Sequence, residues 1–291
     1  MVKVIPITPR GFCPGVVRAI AIVEKVLEDP SYPRPIQILG MIVHNRNVVE
    51  ELRAKGAVTI MDLGKPRLDL LDDIDKGTVI ITAHGADPRV FRKARKKGLI
   101  VVDATCNDVY RTHDEVKKRI AAGYEVIFVG KKNHPETEAI QCLSERITIV
   151  ENSLDVQKLA STTKPLFATN QTTFSHLDLE GVYSTLIEKF PGIVIQDEIC
   201  NSTRIRQEAI IDYNTRYQVD LCYIVGDPHS NNTRNLVAIS EQATKTRTIL
   251  IESIADIDPL DLKDVSIVSV SSGASTPTKL TNTVIAYLES L

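Results

Sequence analysis

The chain lacks most of what would mark a membrane, secreted or polyanion-binding protein. No stretch approaches the ~18 consecutive apolar residues that suggest a membrane-spanning helix. Neither sign of charge dominates: 35 Lys+Arg against 37 Asp+Glu leave a formal net charge of −2, which argues against a polybasic nucleic-acid surface as the principal role. The first apolar segment, VKVIPI, reads as a strand, with no basic region ahead of a cleavable apolar stretch. No secretory leader is therefore expected, and the reducing cytoplasm is the expected compartment. Five cysteines in 291 residues are too sparse and too far apart for a disulfide scaffold. None forms the C-x-x-C pair of a zinc ribbon or a thioredoxin-like site. Low-complexity tracts and obvious linkers are also lacking.

What is present is ordinary globular composition, 43% apolar and 25% charged. It suffices for a large core and, by length, about two domains. The apolar runs are short and β-branched: 36–43, 78–82, 99–105, 125–130, 165–169, 193–196, 219–226, 248–251 and 265–270. Because they are continuous rather than alternating, they predict strands covered on both faces, as in parallel sheets. Between them lie amphipathic helical stretches at 15–29, 47–56, 88–98, 114–123, 179–190, 202–217 and 276–291, several ending in glycine. The stretch 62–77 predicts a loop with a short helix. Alternating strand and helix define an α/β fold with right-handed crossovers.

The strand ends carry a repeat. Cys13, Cys106 and Cys200 each follow a predicted strand and precede a helix, 93 and 94 residues apart (106 − 13 and 200 − 106). His44, His134 and Ser230 follow these cysteines by 31, 28 and 30 residues (44 − 13, 134 − 106, 230 − 200). His84, Thr172 and Ser275 follow them by 71, 66 and 75 (84 − 13, 172 − 106, 275 − 200). All nine positions fall just past the C-terminal end of a predicted strand, where open α/β sheets place their ligands. The simplest reading is three related α/β modules, each offering one thiol and two polar groups to a shared centre.

Three soft thiolates on separate loops suit zinc or an iron–sulfur cluster. A cubane held by three thiolates leaves its fourth iron without a protein ligand, open to a substrate oxygen. Cys142 and Cys222 do not sit at strand ends and read as small buried apolar residues. His44 in IVHN, His84 in TAHG, and Ser230, Asn231 and Asn232 in HSNN offer hydrogen bonds near helix starts, an arrangement that favours phosphate oxygens. In NHPE, His134 and Glu136 stand two residues apart near a helix start. Glu136 is the natural proton donor if that turn faces the centre, and a solvated first-turn glutamate if it does not. The basic run 84–98 reads as a solvated helix face, with a docking patch for an acidic electron carrier as the sharper alternative. A zinc hydrolase or lyase and a non-enzymatic iron–sulfur sensor stay open on these residues alone.

The motifs RGFCPGVVRAI (10–20), IVHNRNVVEELRAKGA (42–57), TAHG (82–85), DATC (103–106), NHPETEA (133–139), TNQTTFS (169–175), EICNSTRIRQEA (198–209), HSNNT (229–233) and SSGASTP (271–277) run through essentially the whole chain. In that order they closely resemble the 4-hydroxy-3-methylbut-2-enyl diphosphate reductase (IspH/LytB) family. The resemblance implies the last step of the methylerythritol phosphate route to isoprenoids, in which an allylic hydroxyl is removed reductively to yield isopentenyl and dimethylallyl diphosphate. It implies a [4Fe–4S] cluster on Cys13, Cys106 and Cys200. His44, His84, His134, Ser230, Asn232 and Ser275 would hold the diphosphate, with Asn231 beside them. Glu136 would deliver protons, Thr172 would bond the substrate hydroxyl and help relay them, and His134 would be catalytic with them. The implied fold is a trefoil of three pseudo-symmetric α/β modules, mostly parallel, around a central cluster site: 14–106, 107–197 and 198–291, the last joined by strand 1–13. The implied context is a cytoplasmic monomer served by a ferredoxin- or flavodoxin-type donor, with no nucleic acid and no membrane. Relatives commonly have proline after the second cysteine and two serines before the diphosphate-binding asparagine. Here those positions read Asn107 and Ser230-Asn231, and an amide still donates to phosphate. Around Thr169-Asn170-Gln171-Thr172-Thr173, relatives often read Thr-Gln-Thr-Thr.

Overall fold

The computed structural model describes residues 2–62 and 65–291. Met1 and positions 63 and 64, the latter within the expected 62–77 loop, lie outside them. The chain opens with β1 (Lys3–Pro6) and α1 (Pro14–Glu28). A first run of strands and helices follows: β2 (Ile36–Leu39), α2 (Arg46–Ala54), β3 (Ala57–Ile60), α3 (Arg67–Leu70), β4 (Thr78–Ile81), α4 (Pro88–Lys96) and β5 (Ile100–Asp103). A second comprises α5 (Asn107–Ala121), β6 (Glu125–Val129), α6 (Pro135–Gln141), β7 (Ile147–Val150), α7 (Ser153–Gln157), β8 (Leu166–Asn170), α8 (His176–Lys189) and β9 (Val194–Ile195). The third comprises α9 (Asn201–Tyr217), β10 (Leu221–Val225), α10 (Asn231–Thr244), β11 (Arg247–Ile251), β12 (Ile267–Ser272) and α11 (Thr278–Glu289).

The strands form three four-stranded sheets, ordered β3-β2-β4-β5, β7-β6-β8-β9 and β11-β10-β12-β1. Every pairing is parallel. Each sheet repeats one path. The chain enters at an inner strand, steps to one edge, then crosses back to the other inner place. The outer place beside that third strand falls to β5, to β9 and, in the last sheet, to β1, which runs in register with β12 from Lys3↔Ile267 to Pro6↔Val270. The fold is thus α/β with three alike parallel sheets, and the N-terminal strand completes the third.

Burial explains which runs read as continuous. The inner strands β2, β4, β8 and β10 are buried at every position, because helices cover both faces of a parallel sheet. The outer strands β5 and β3 are mostly half-buried, each with one exposed position and only Ala57 buried. The first core gathers Leu39, Leu71, Val79, Ile81, Val90 and Ala94. In the last, Tyr223, Val225, Val268, Val270, Val284 and Leu288 pack α11 on its sheet. Each large apolar side chain so buried contributes about 1.5–3 kcal/mol.

The chain divides into two compact units. The smaller takes the chain up to Pro14, His44–Arg46 and Cys200–Leu291, and holds the third sheet; the larger takes Gly15–Val43 and Asn47–Ile199, and holds the first two. Helix α5 starts at Asn107 rather than 114, because Cys106 is already extended at its N-cap and Asp108 favours the first turn. Helix α10 escapes the periodicity reading: NNTRNLVAISEQAT is rich in poor helix formers, and its buried face includes Asn231, Asn232, Thr233 and Ser240. Short α7, β3 and β7 were also not anticipated and α6 only by its start at NHPE, whereas the described part of 62–77 does contain a short helix, α3, followed by a 3-10 turn. Among the described residues, no helix is long and apolar enough to cross a membrane.

Candidate active site

The topology gives each candidate residue a defined station. The first strands β2, β6 and β10 are followed by His44, His134 and Ser230, and the third strands β4, β8 and β12 by His84, Thr172 and Ser275. The outer strands β5, β9 and β1 are followed by the thiols Cys106, Cys200 and Cys13. Each sheet therefore delivers one thiol and two polar groups. Counting from each cysteine along the chain joins Cys13 to His44 and His84. The sheets instead group Cys106 with that pair, because β1, and Cys13 with it, belongs to the third sheet.

In the larger unit, His84, His134, Glu136 and Thr172 lie close together. Asn133 takes φ 62, which turns the chain out of β6 toward α6. His134 caps α6, its Nδ1 accepting the Glu136 N–H at 3.2 Å. That bond puts the proton of the neutral ring on Nε2, making it the donor. The His84 and His134 rings meet edge to face at 5.5 Å between centroids. Glu136 is 1% exposed. Its Oε1 accepts the Thr172 N–H at 2.8 Å and its Oε2 the Thr172 hydroxyl at 3.0 Å. Burial pushes the carboxyl up to about 7, against the opposing pull of the Thr172 bonds. The solvated-glutamate alternative is thereby excluded. Cys106 stands at the α5 N-cap, its N–H bonded to the Ala83 carbonyl at 2.9 Å, next to His84 in the chain.

In the smaller unit, Cys200 caps α9, and its sulfur lies 3.2 Å from Thr203 Oγ1. The Cys13 N–H donates to the Ala274 carbonyl at 2.9 Å. Arg206, 3% exposed, binds the Ser202 carbonyl at 2.8 Å and the Gly11 carbonyl at 2.7 Å. One guanidinium thus ties the Cys13 loop to the first turn that carries Cys200, and it interacts electrostatically with both thiols. Asn232 donates to Thr203 Oγ1 at 3.2 Å and accepts the Ala274 N–H at 3.0 Å, which leaves one of its amide hydrogens for a ligand. Ser275 donates to the His44 carbonyl at 2.8 Å, and Ser230 Oγ caps α10 on the Thr233 N–H at 3.3 Å. Asn231 lies in that buried first turn, 4% exposed. Its amides and the helix dipole make a setting for an anion.

Sequence reasoning missed Thr203 and Arg206. The signal was available: they stand three and six residues after Cys200, on the buried face of α9 with Ile210 and Asn214. An arginine on a buried helix face calls for a dedicated partner. Cys222 is fully buried in β10, as expected. Cys142 is only half-buried, 3.4 Å from the Arg89 guanidinium, because it ends a seven-residue helix rather than lying within it.

The chemistry of the donor set fits an iron–sulfur centre. Cys13, Cys106 and Cys200 each immediately precede or cap a helix of 15, 15 or 17 residues. Helix N-termini favour the thiolate that a metal requires. A buried cation beside two of the thiols offsets further negative charge.

Comparisons with known proteins bear on the class of the protein. The family model described as LytB protein matches residues 4–289. A 4-hydroxy-3-methylbut-2-enyl diphosphate reductase from Geobacillus sp. (strain WCH70) is 45% identical over 288 residues, 99% of this chain and 90% of that protein. The solved structure of the E-1-hydroxy-2-methyl-but-2-enyl-4-diphosphate reductase from Plasmodium falciparum superposes with a TM-score of 0.90 at 35% identity, covering 99% of this chain and 88% of that one. A solved (E)-4-hydroxy-3-methyl-but-2-enyl diphosphate reductase, described as the terminal enzyme of the non-mevalonate pathway, gives a TM-score of 0.69 at 30% identity over the whole of both chains. Fold and relatives together define an oxidoreductase. More narrowly, the chain belongs to the LytB family. An iron–sulfur cofactor accords with that membership.

Proposed function

We propose that the protein removes the hydroxyl of 4-hydroxy-3-methylbut-2-enyl diphosphate with two electrons and two protons, releasing water and isopentenyl or dimethylallyl diphosphate. The observation that carries this reading is the Glu136–Thr172 pair: a buried carboxyl poised near neutrality, both oxygens held by one residue at the end of β8. Cys13, Cys106 and Cys200 would hold a [4Fe–4S] cluster. When bound, such a cluster supplies electrons and a Lewis-acidic iron to the substrate oxygen.

The chain's own groups then divide the remaining work. His44, His84, His134, Ser230, Asn231, Asn232 and Ser275 bind the diphosphate, with His134 donating through Nε2. That binding energy, remote from the C–O bond, orients the bond. The Thr172 N–H occupies Glu136 Oε1, so the carboxyl proton resides on Oε2. In the structure the Thr172 hydroxyl donates to Oε2; once Oε2 is protonated it can donate to the Thr172 oxygen instead, and the hydroxyl hydrogen is then free to turn outward. Glu136 can thus pass a proton through Thr172 to the departing oxygen, and at about pH 7 it is readily recharged.

A cytoplasmic monomer served by a ferredoxin- or flavodoxin-type carrier suits a small water-soluble diphosphate, and the near-balanced charge gives no support to a nucleic-acid partner. The test is anaerobic reconstitution with iron and sulfide, then turnover with a small chemical reductant. Formation of both five-carbon diphosphates is expected, and a reconstituted protein that consumes no substrate sinks the reading.

A further inference from the structure

The larger unit carries a groove of about 350 Å³ that the chemistry above leaves unused. Its floor is apolar and ring-bearing, built from Phe91 on α4, Tyr110 on α5 and Leu143 beyond α6. Its inner end abuts the cysteine loop. Gly85 follows His84, Thr105 precedes Cys106, and the two residues pack so closely that a Cβ on Gly85 would lie 3.3 Å from Thr105 and 3.7 Å from His113. His113 is 5% exposed, and burial pushes its imidazole down to about 4, so the ring itself adds no charge at neutral pH.

The rim is basic. Arg92 and Arg95 on α4 and Lys117 on α5 line it, and Arg18 donates to the Thr105 carbonyl at 2.7 Å. Three other cations of this run are paired locally, Arg89 with Asp87, Lys93 with Asp72 and, just past the helix end, Lys97 with Asp75, while exposed Lys96, which does not line the groove, has no ion pair among the described residues. Lys117 also has a partner, Asp114, at 3.2 Å. Exposed Arg92 and Arg95 have no ion pair among the described residues. The groove also contains a carboxylate, Asp103, but it is engaged by the Tyr110 hydroxyl and by Thr105 Oγ1 and N–H. The groove thus offers unneutralised positive charge around an apolar floor, one residue from a thiol. The solvated-face reading of 84–98 accounts for exposure but not for two unpaired arginines lining one ring-bearing groove.

We infer that this groove docks an acidic flavodoxin-type electron carrier and receives its electrons on the Cys106 side. The inference rests on the functional reading above. The rim arginines complement an acidic partner surface, and the ring-bearing concave floor admits the apolar edge of an exposed flavin. Small, charge-guided contact is what a transient redox partner needs, since it must leave after each delivery. Each reduced carrier gives up one electron and departs oxidised by one electron. Two visits supply the two electrons that, with two protons, convert the substrate hydroxyl to water.

The test compares reconstituted wild-type holoenzyme with the Arg92→Glu/Arg95→Glu double variant. At low ionic strength the variant's KM for reduced flavodoxin should rise about tenfold or more, while turnover with a small chemical reductant stays at the wild-type rate. The difference should shrink near 1 M salt, where screening acts within about 3 Å. An unchanged KM for flavodoxin, or an equal loss with both reductants, overturns the inference. So does ferredoxin showing the salt-dependent, arginine-dependent binding while flavodoxin shows none. If the wild-type protein turns nothing over with the small reductant, the functional reading fails on its own. Calorimetric binding of flavodoxin then decides the groove: affinity lost in the variant supports it, and equal affinity overturns it.

Discussion

At the scale of single residues, Glu136 concentrates the most chemistry. Its neutral form is favoured by burial, so its raised pKa has consequences for both rate and stability. Glu136→Gln keeps the volume and removes the proton, so turnover should fall about 10²–10⁴-fold with substrate KM nearly unchanged. An equal loss of binding would count against the proton-donor role. The wild-type rate should decline above about pH 7 as the carboxylate forms, and the variant's residual rate should lack that limb. The carboxyl titrates near 4.5 when exposed and at about 7 in the fold. Its burial penalty is therefore absent below 4.5 and grows as pH rises through 7, so Glu136→Gln should gain stability over wild type across that window, read by urea melts. The place of Arg206 on the face of α9 that follows Cys200 was readable, but its clamping role was not, because that role joins Ser202 to Gly11, far away in sequence. Arg206→Gln leaves a shorter side chain that cannot span the Ser202 and Gly11 carbonyls and removes the cation. The iron retained after reconstitution and desalting should fall severalfold, while far-ultraviolet circular dichroism stays native. Full retention of iron would show that the clamp is dispensable.

Among the elements, the inner strands were the most legible, because burial on both faces writes an unbroken apolar run into the sequence. Capped, short or polar-faced elements were legible only at their starts, as at NHPE and HSNN: α6 is seven residues long, and α10 buries asparagine and serine. The loop between β1 and α1 was legible only as a motif, and the structure supplies its reason. Gly11 takes φ 79, donates to Ser272 Oγ at 2.8 Å and offers its carbonyl to Arg206. A Cβ there would also collide with Thr278 Oγ1. Gly11→Ala should cost about 2–4 kcal/mol, strain plus collision, and lower iron retention with it. Gly56 provides the control. Its φ is 102, but nothing lies within 4 Å of an added Cβ, so Gly56→Ala should cost only about 1–2 kcal/mol and leave iron untouched. Equal thermal shifts in the two variants would remove the packing part of the argument.

For the whole molecule, one strand order is used three times, and the thiols occupy one place in it, past the outer strand beside the third. Equal spacing made the thiols legible as a set. The spacing alone mispaired them with their sheets; the family resemblance, which joins strand 1–13 to 198–291, was what placed β1 beside strands that begin at Leu221. The repeat has a compositional consequence. If one cluster draws a thiolate from each sheet, Cys13→Ser, Cys106→Ser and Cys200→Ser should each depress iron and acid-labile sulfide sharply, together with the broad absorbance near roughly 400 nm. Cys222→Ala should leave the iron content intact at a stability cost of about 1 kcal/mol, and half-buried Cys142→Ser should change neither. Stoichiometric colourless zinc in place of iron would turn the same three thiols toward a hydrolase or lyase. A cluster that survives loss of any one of the three thiols would break the link between the threefold strand order and the chemistry.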